Sequence, residues 1–263
     1  MNPTVLATVN QKGGVAKTTS CINIGAAMAR EGKKVLLVDT DPQASMTISL
    51  GNQQPDQLAP TIADLMTKVM NDIPIAPGEG ILHHPEGIDL LPANIALAGT
   101  EVSLVNAMSR ETILKQVLAR NRQDYDCIII DCMPSLGMLT INALAAAHQA
   151  IVPVQAHYLA MEDMADTLEV IQTIRQGINP KLAVGGILLT MYQGRTNLCR
   201  GIQDEIQADY GNAFTVFSSP IDFSIRVAEH PIGAASIFEY EPNNPAAKAY
   251  SAVAQEVLSY GQK

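Results

Sequence analysis

Short apolar runs and longer stretches of helical spacing alternate along the whole chain. Apolar residues fill Val5–Val9, Val35–Asp39, Ile88–Leu91, Cys127–Asp131, Ala150–Val154 and Val184–Leu189 almost continuously, instead of at every second position. A strand reads this way when both of its faces are covered, as in a parallel sheet packed between helices. Between these runs, the spacing predicts helices over Lys17–Arg30, with Gly32 as C-cap, and over Ile62–Met70. Met161–Gln176 has apolar residues at 161, 164, 165, 168 and 171 before Gly177. Asn197–Tyr210 stops at Gly211, and Pro245–Tyr260 follows later. The alternation predicts an α/β fold: a single domain over residues 1–263, with a mostly parallel twisted sheet and helices on both faces. Residues 51–87, richer in Pro, Asn and Gln, are expected as a peripheral elaboration on one edge.

Composition narrows the class. With 47% hydrophobic and 16% charged residues, the chain is neither disordered nor collagen-like. Cys132 to Met161 holds no Asp, Glu, Lys or Arg, yet Pro134, Asn142, His148, Gln149, Pro153 and Gln155 interrupt it. A buried helix followed by a buried strand fits that stretch better than a membrane span. Seventeen basic against 26 acidic residues give a net charge of −9, so the whole molecule repels polyanions. Any nucleic-acid contact therefore needs a local basic patch. Four cysteines without a C-x-x-C pair point to a reducing compartment and away from a zinc knuckle, and the five histidines show no ligand spacing. No secretory leader pattern is present, which makes the cytoplasm the expected location.

Candidate chemistry concentrates in the first strand–loop–helix, Val5-Leu-Ala-Thr-Val-Asn10-Gln-Lys12-Gly13-Gly14-Val15-Ala16-Lys17-Thr18-Thr19. Such a loop can wrap its backbone N–H groups around phosphate oxygens, and the helix N-terminus adds positive potential. Lys17 then neutralises the β- and γ-phosphates, while the Thr18 hydroxyl ligates Mg²⁺. The strict pattern G-x-x-x-x-G-K-[ST] fails at Gln11 and at Ala16, and a Gly-bearing loop alone can be a plain turn. Carboxylates at strand ends change the balance. Asp39 and Asp41 close the second run, in Val35-Leu-Leu-Val-Asp39-Thr-Asp41-Pro42-Gln43, and Asp131 closes Asp126-Cys-Ile-Ile-Ile-Asp131. Ligands of open parallel sheets bind at that edge. A dinucleotide fold is excluded because no G-x-G-x-x-G follows any strand.

Asn10-Gln-Lys-Gly-Gly-Val-Ala-Lys-Thr-Thr resembles the deviant Walker-A motif of the ParA/MinD ATPases, marked by the early Lys12. Asp39-Thr-Asp-Pro-Gln43 is similar to that family's switch I, and Asp131-Cys-Met-Pro-Ser-Leu-Gly137 to its Walker-B and switch-II segment. Leu91-Pro-Ala-Asn-Ile-Ala-Leu-Ala-Gly99, Leu104-Val-Asn-Ala-Met-Ser-Arg-Glu111 and Leu188-Leu-Thr-Met-Tyr192 read like its Soj/ParA partition branch. The resemblance runs from about residue 4 to 258 and is loosest over 51–87.

The resemblance implies a P-loop ATPase that uses ATP and Mg²⁺ and pairs as a homodimer around the nucleotide. Lys12 would reach the partner's phosphates, and Lys17 its own. Gly13, Gly14, Val15, Ala16 and Thr19 would complete the phosphate cradle, with Pro220 near the base. Thr18, Asp41 and Asp131 would hold Mg²⁺, and Asp41 would also orient the attacking water; Asp39 would support the loop. Nonspecific duplex DNA binding would fall to Arg195, Arg200 and Arg226, against a plain reading as surface ion pairs with Asp204, Glu205, Asp209 and Glu229. A ParB-like centromere-binding adaptor would stimulate hydrolysis, and the protein would sit on the nucleoid. Two positions depart from the family: Ala16 replaces its Gly, where a methyl either crowds the phosphate or is tolerated, and Met133 replaces a proline. A ParA-like ATPase moving a non-DNA cargo is the alternative. A MinD-like membrane cycle needs a basic amphipathic tail, and 252–263 carries one lysine. That Lys263, with 261 and 262, lies outside the residues described below.

Overall fold

Strand β1 (Thr4–Thr8) runs through a loop into helix α1 (Lys17–Arg30), which returns the chain to β2 (Val35–Thr40). Helices α2 (Ser45–Ser49) and α3 (Ile62–Met70) precede β3 (Leu82–His83) and β4 (Ile88–Leu91). Next come α4 (Ala96–Leu104), α5 (Ile113–Ala119), β5 (Cys127–Cys132), α6 (Met138–Ala146) and β6 (Gln149–Gln155). Helix α7 (Ala160–Gly177) leads to β7 (Ala183–Thr190), and α8 (Asn197–Tyr210), α9 (Ile225–Glu229), α10 (Ile237–Tyr240) and α11 (Pro245–Tyr260) follow. The structure is a computed structural model that describes residues 3–120, 122–157 and 160–260.

One seven-stranded sheet carries the fold, in the order β3-β4-β2-β5-β1-β6-β7. Every pairing is parallel except β3 with β4. Successive residues of each strand feed opposite cores. Val5, Ala7, Leu36, Val38, Ile128, Ile130, Val152 and Val154 pack under α3 to α8. Leu6, Leu37, Ile88, Leu90, Ile129 and Leu188 pack under α1, α2, α10 and α11. Both faces are therefore dry, which is why the strands read as unbroken apolar runs. On the second face α1 lies so near β2 that a Cβ on Gly25 would sit 2.7 Å from a Leu37 methyl.

Segment 51–87 does reach the sheet edge through β3, but its helix belongs to the interior: Ile62, Leu65 and Met66 of α3 are fully buried. A Thr61–Asp64 capping box starts that helix. The apolar spacing missed β3, which has two residues, and α4, where exposed Val102 and, just before the helix, exposed Ile95 blur the distinction between faces. Beyond β7, Val216 and Asp222 bridge in parallel to Ile187 and Tyr192, so residues 216–222 extend the sheet edge. No described helix is long and apolar enough to cross a membrane.

Candidate nucleotide-binding site

The strand register brings Thr8, Asp39 and Asp131 side by side at the carboxyl ends of β1, β2 and β5. Residues 9–16 fold over this edge. Asn10 roots the loop by donating its amide to Pro153 O at 2.8 Å and accepting from Lys12 N at 2.9 Å. At the far end Thr190 donates to Val15 O at 3.1 Å. Gly14 (φ 75°) and Ala16 (φ 61°) are left-handed, a conformation that turns neighbouring N–H groups toward a common centre. Ala16 is also the N-cap of α1 and offers no side-chain oxygen, so the first-turn N–H groups have no cap from it. This departure from the family thus lies in backbone strain: an L-residue in that region costs about 1 kcal/mol more than glycine.

Beneath the loop lies an under-compensated group of charges. Lys17 is 7% exposed and donates Nζ to Lys12 O at 2.8 Å. Burial lowers its pKa, opposed first by the Asp131 charge. Asp131 is pushed up to about 8, by burial first and the Asp39 carboxylate second, while Thr18 and Lys17 pull the other way. Its Oδ2 is buried without a hydrogen-bond partner among the described residues. Asp39 rises to about 6 through burial, yet it is fully engaged. It accepts from Thr47 N at 2.9 Å, Thr47 Oγ1 at 2.7 Å and Asp41 N at 3.1 Å. Asp39 therefore clamps the loop after β2, while Asp131 keeps a free oxygen. A hard divalent cation fits that oxygen together with the Thr18 hydroxyl, and Mg²⁺ commonly takes only one or two protein ligands beside water and phosphate.

Asp41 stands half-buried at the same edge, with Oδ1 accepting from Gln43 N at 2.9 Å. The loop after β5 covers the cradle: a Cβ on Gly13 would lie 4.0 Å from Pro134. Lys12 points elsewhere. Its Nζ donates to Asp163 Oδ2 at 3.0 Å and also contacts His157 Nε2, all within one chain. Pro220 is half-buried beside the end of β7, where Ile221 N donates to Leu189 O at 2.8 Å. Arg195, Arg200 and Arg226 are exposed. The Tyr192–Asp222 bridge brings the segments of Arg195 and Arg226 to the same end of β7. Arg226 pairs with Glu229 at 3.1 Å and Arg200 donates to Asn197 Oδ1 at 2.7 Å. Motif reading missed Asn10 as the loop's anchor, and it missed Thr190, His157 and Asp163 altogether. Asn10 and Thr190 lay inside quoted motifs, whereas His157 and Asp163 carry no local signal.

A parallel sheet whose first strand feeds a phosphate-type loop, with a buried acid in register on the adjacent strand, defines a P-loop nucleoside-triphosphatase fold. The AAA_31 family model, described as an AAA domain, matches residues 3–184. The sporulation initiation inhibitor protein Soj of Bacillus subtilis is 39% identical over 257 residues, 98% of this chain and 99% of its own. The chromosome-partitioning ATPase Soj of Thermus thermophilus is 40% identical over 258 residues, covering 98% and 96%. Among solved structures, one named cobyrinic acid a,c-diamide synthase from Mycobacterium smegmatis, with bound ATP analog and magnesium, superposes with a TM-score of 0.85. It is 38% identical, over 99% of this chain and 96% of that one. The chain belongs to the AAA_31 family, among the Soj/ParA chromosome-partitioning ATPases.

Proposed function

We propose that this protein is a partition ATPase that hydrolyses Mg-ATP and uses the nucleotide to switch DNA binding on and off. The carrying observation is Asp131, buried with one free oxygen beside the buried Lys17 at the start of α1. In this reading Lys17 takes the β/γ-phosphates of ATP, and the N–H groups of Gly13, Gly14, Val15, Ala16 and Thr19 take the remaining oxygens. Thr18, Asp41 and Asp131 would hold Mg²⁺, which would supply charge neutralisation at the phosphates. Asp41 orients the attacking water, and no covalent nucleophile is needed, because phosphoryl transfer is mostly positioning and charge neutralisation. Pro220 borders the base.

ATP pairs two chains, with Lys12 of each completing the other's site. The dimer doubles the phosphate contacts from Arg195, Arg200 and Arg226, which offsets the net charge of −9. The ATP-bound protein thus sits on the nucleoid in the cytoplasm, until a ParB-like adaptor accelerates hydrolysis and releases the DNA. The arrangement of α11 favours this over a membrane cycle. Its apolar residues Ala246, Ala247, Tyr250, Val253, Ala254 and Val257 are buried against α1 and its neighbours, so the apolar face of its described residues is already taken up by the core. The test is retention of random-sequence duplex DNA with ATP, ADP and a non-hydrolysable analogue at two salt concentrations. Strong, salt-sensitive retention with ATP and the analogue alone supports the switch, and equal retention with ADP overturns it.

A further inference from the structure

We propose that Asp163 and His157 are positioning residues that hold Lys12 in cis, so that pairing of two chains must first break this contact. The inference rests on the reading of Lys12 as the residue that completes the partner's site. Lys12 lies in the loop rooted by Asn10, Asp163 in the first turn of α7, and His157 just after β6. Two stretches of chain 145 to 151 residues apart therefore meet at one ammonium group. Nζ is 3.0 Å from Asp163 Oδ2, His157 Nε2 lies 3.7 Å from the same oxygen, and the Lys12 and Asp163 side chains are 31% and 28% exposed.

The chemistry of the three groups makes the contact a genuine competitor. An ammonium has only donors, so toward Lys12 the facing His157 Nε2 can serve only as an acceptor. An ammonium seated between a carboxylate and an imidazole nitrogen has one N–H left, so these two contacts compete with full engagement of a phosphate of another chain. Pairing therefore exchanges Asp163 for a phosphate oxygen, one anion for another. Asp163 tolerates being left behind, because a carboxylate in the first turn of a helix faces the positive end of its dipole. The exchange is thus nearly balanced, and nucleotide on the facing chain tips it. A symmetric dimer opens two such contacts, so the effect of one enters the dimer constant squared.

The test measures dimer dissociation constants by sedimentation of the full chain with Mg²⁺ and a non-hydrolysable ATP analogue. Asp163→Asn keeps the shape and removes the charge. Weakening a half-exposed ion pair by about threefold per contact should tighten the dimer about tenfold. His157→Ala should shift it in the same direction, and His157→Gln, which retains an acceptor, should restore most of the wild-type value. In a Lys12→Ala background Asp163→Asn should change nothing, a pattern that a general loosening of α7 does not produce. An unchanged dimer constant for Asp163→Asn, or an equal shift in the Lys12→Ala background, overturns the proposal. If Lys12→Ala itself pairs as well as wild type, the trans role of Lys12 fails first and the two failures are told apart.

Discussion

The carboxyl ends of β1, β2 and β5 and the carboxyl end of β7 both gather charged side chains, but on opposite physical terms. At the first, Lys17, Asp39 and Asp131 are buried and close, with one oxygen unpartnered. At the second, Arg195, Arg200 and Arg226 are exposed, and Arg226 shares its charge with surface partners such as Glu229 and Tyr240. Buried charges that lack full compensation are costly, and the fold keeps them only where something else completes them. Exposed arginines cost little and discriminate little. The nucleotide end should therefore respond to single substitutions all-or-none, and the arginine end in graded steps.

Replacing Lys17 by Ala is the hardest test of that contrast. ATP affinity should fall by about 100-fold or more, since a charge-assisted, desolvated contact is lost. Calorimetric binding at wild-type strength would remove Lys17 from the cradle. A pH series probes the same end. Asp131 and Asp39 rise from ordinary values of 3.8 to about 8 and about 6, so the folded chain holds protons that the unfolded chain releases. Their contribution to stability is full below about pH 4 and is lost as pH climbs through the folded-state values. Nucleotide-free, EDTA-treated protein should therefore lose stability progressively between pH 4 and 8, read by denaturant melts. Asp131→Asn should flatten most of that slope. A slope as steep as wild type in the variant would show that another group is responsible.

At the arginine end, Arg226→Ala should weaken DNA retention about fivefold for every sequence alike and reduce the salt slope by about one per chain. A sequence-dependent loss would place Arg226 on base edges instead of phosphates. The smallest effect is expected from Ala16→Gly. Relief of the left-handed strain exceeds the added freedom of the unfolded chain by about 0.5 kcal/mol, a gain readable as a higher denaturant midpoint. A loss of stability there would mean that the methyl group packs usefully in the loop.

Most of the nucleotide end was legible before any tertiary contact was known. Asn10 to Thr19 are consecutive, and Asp39, Asp41 and Asp131 terminate apolar runs. Their convergence follows from parallel strand order, which the unbroken runs already implied. The helices over Lys17–Arg30, Ile62–Met70, Asn197–Tyr210 and Pro245–Tyr260 begin and end as the spacing predicts. Helix α4 and strand β3 were not legible, because a helix with apolar residues on both sides has no clear period and two residues make no pattern.

Local spacing thus carried the strands, the main helices and the phosphate loop, since each is set by hydrogen bonding and burial within a short stretch of chain. Tertiary packing alone decided how the charges are used. It made Asp39 a filled clamp and left Asp131 open, although both end apolar strands and sit in register. It put Ala16 in a left-handed turn and joined Thr190 to Val15. It also seated Lys12 on Asp163, 151 residues away. Pairings at that separation depend on how helices and loops dock over the sheet edge, which no periodicity along the chain encodes.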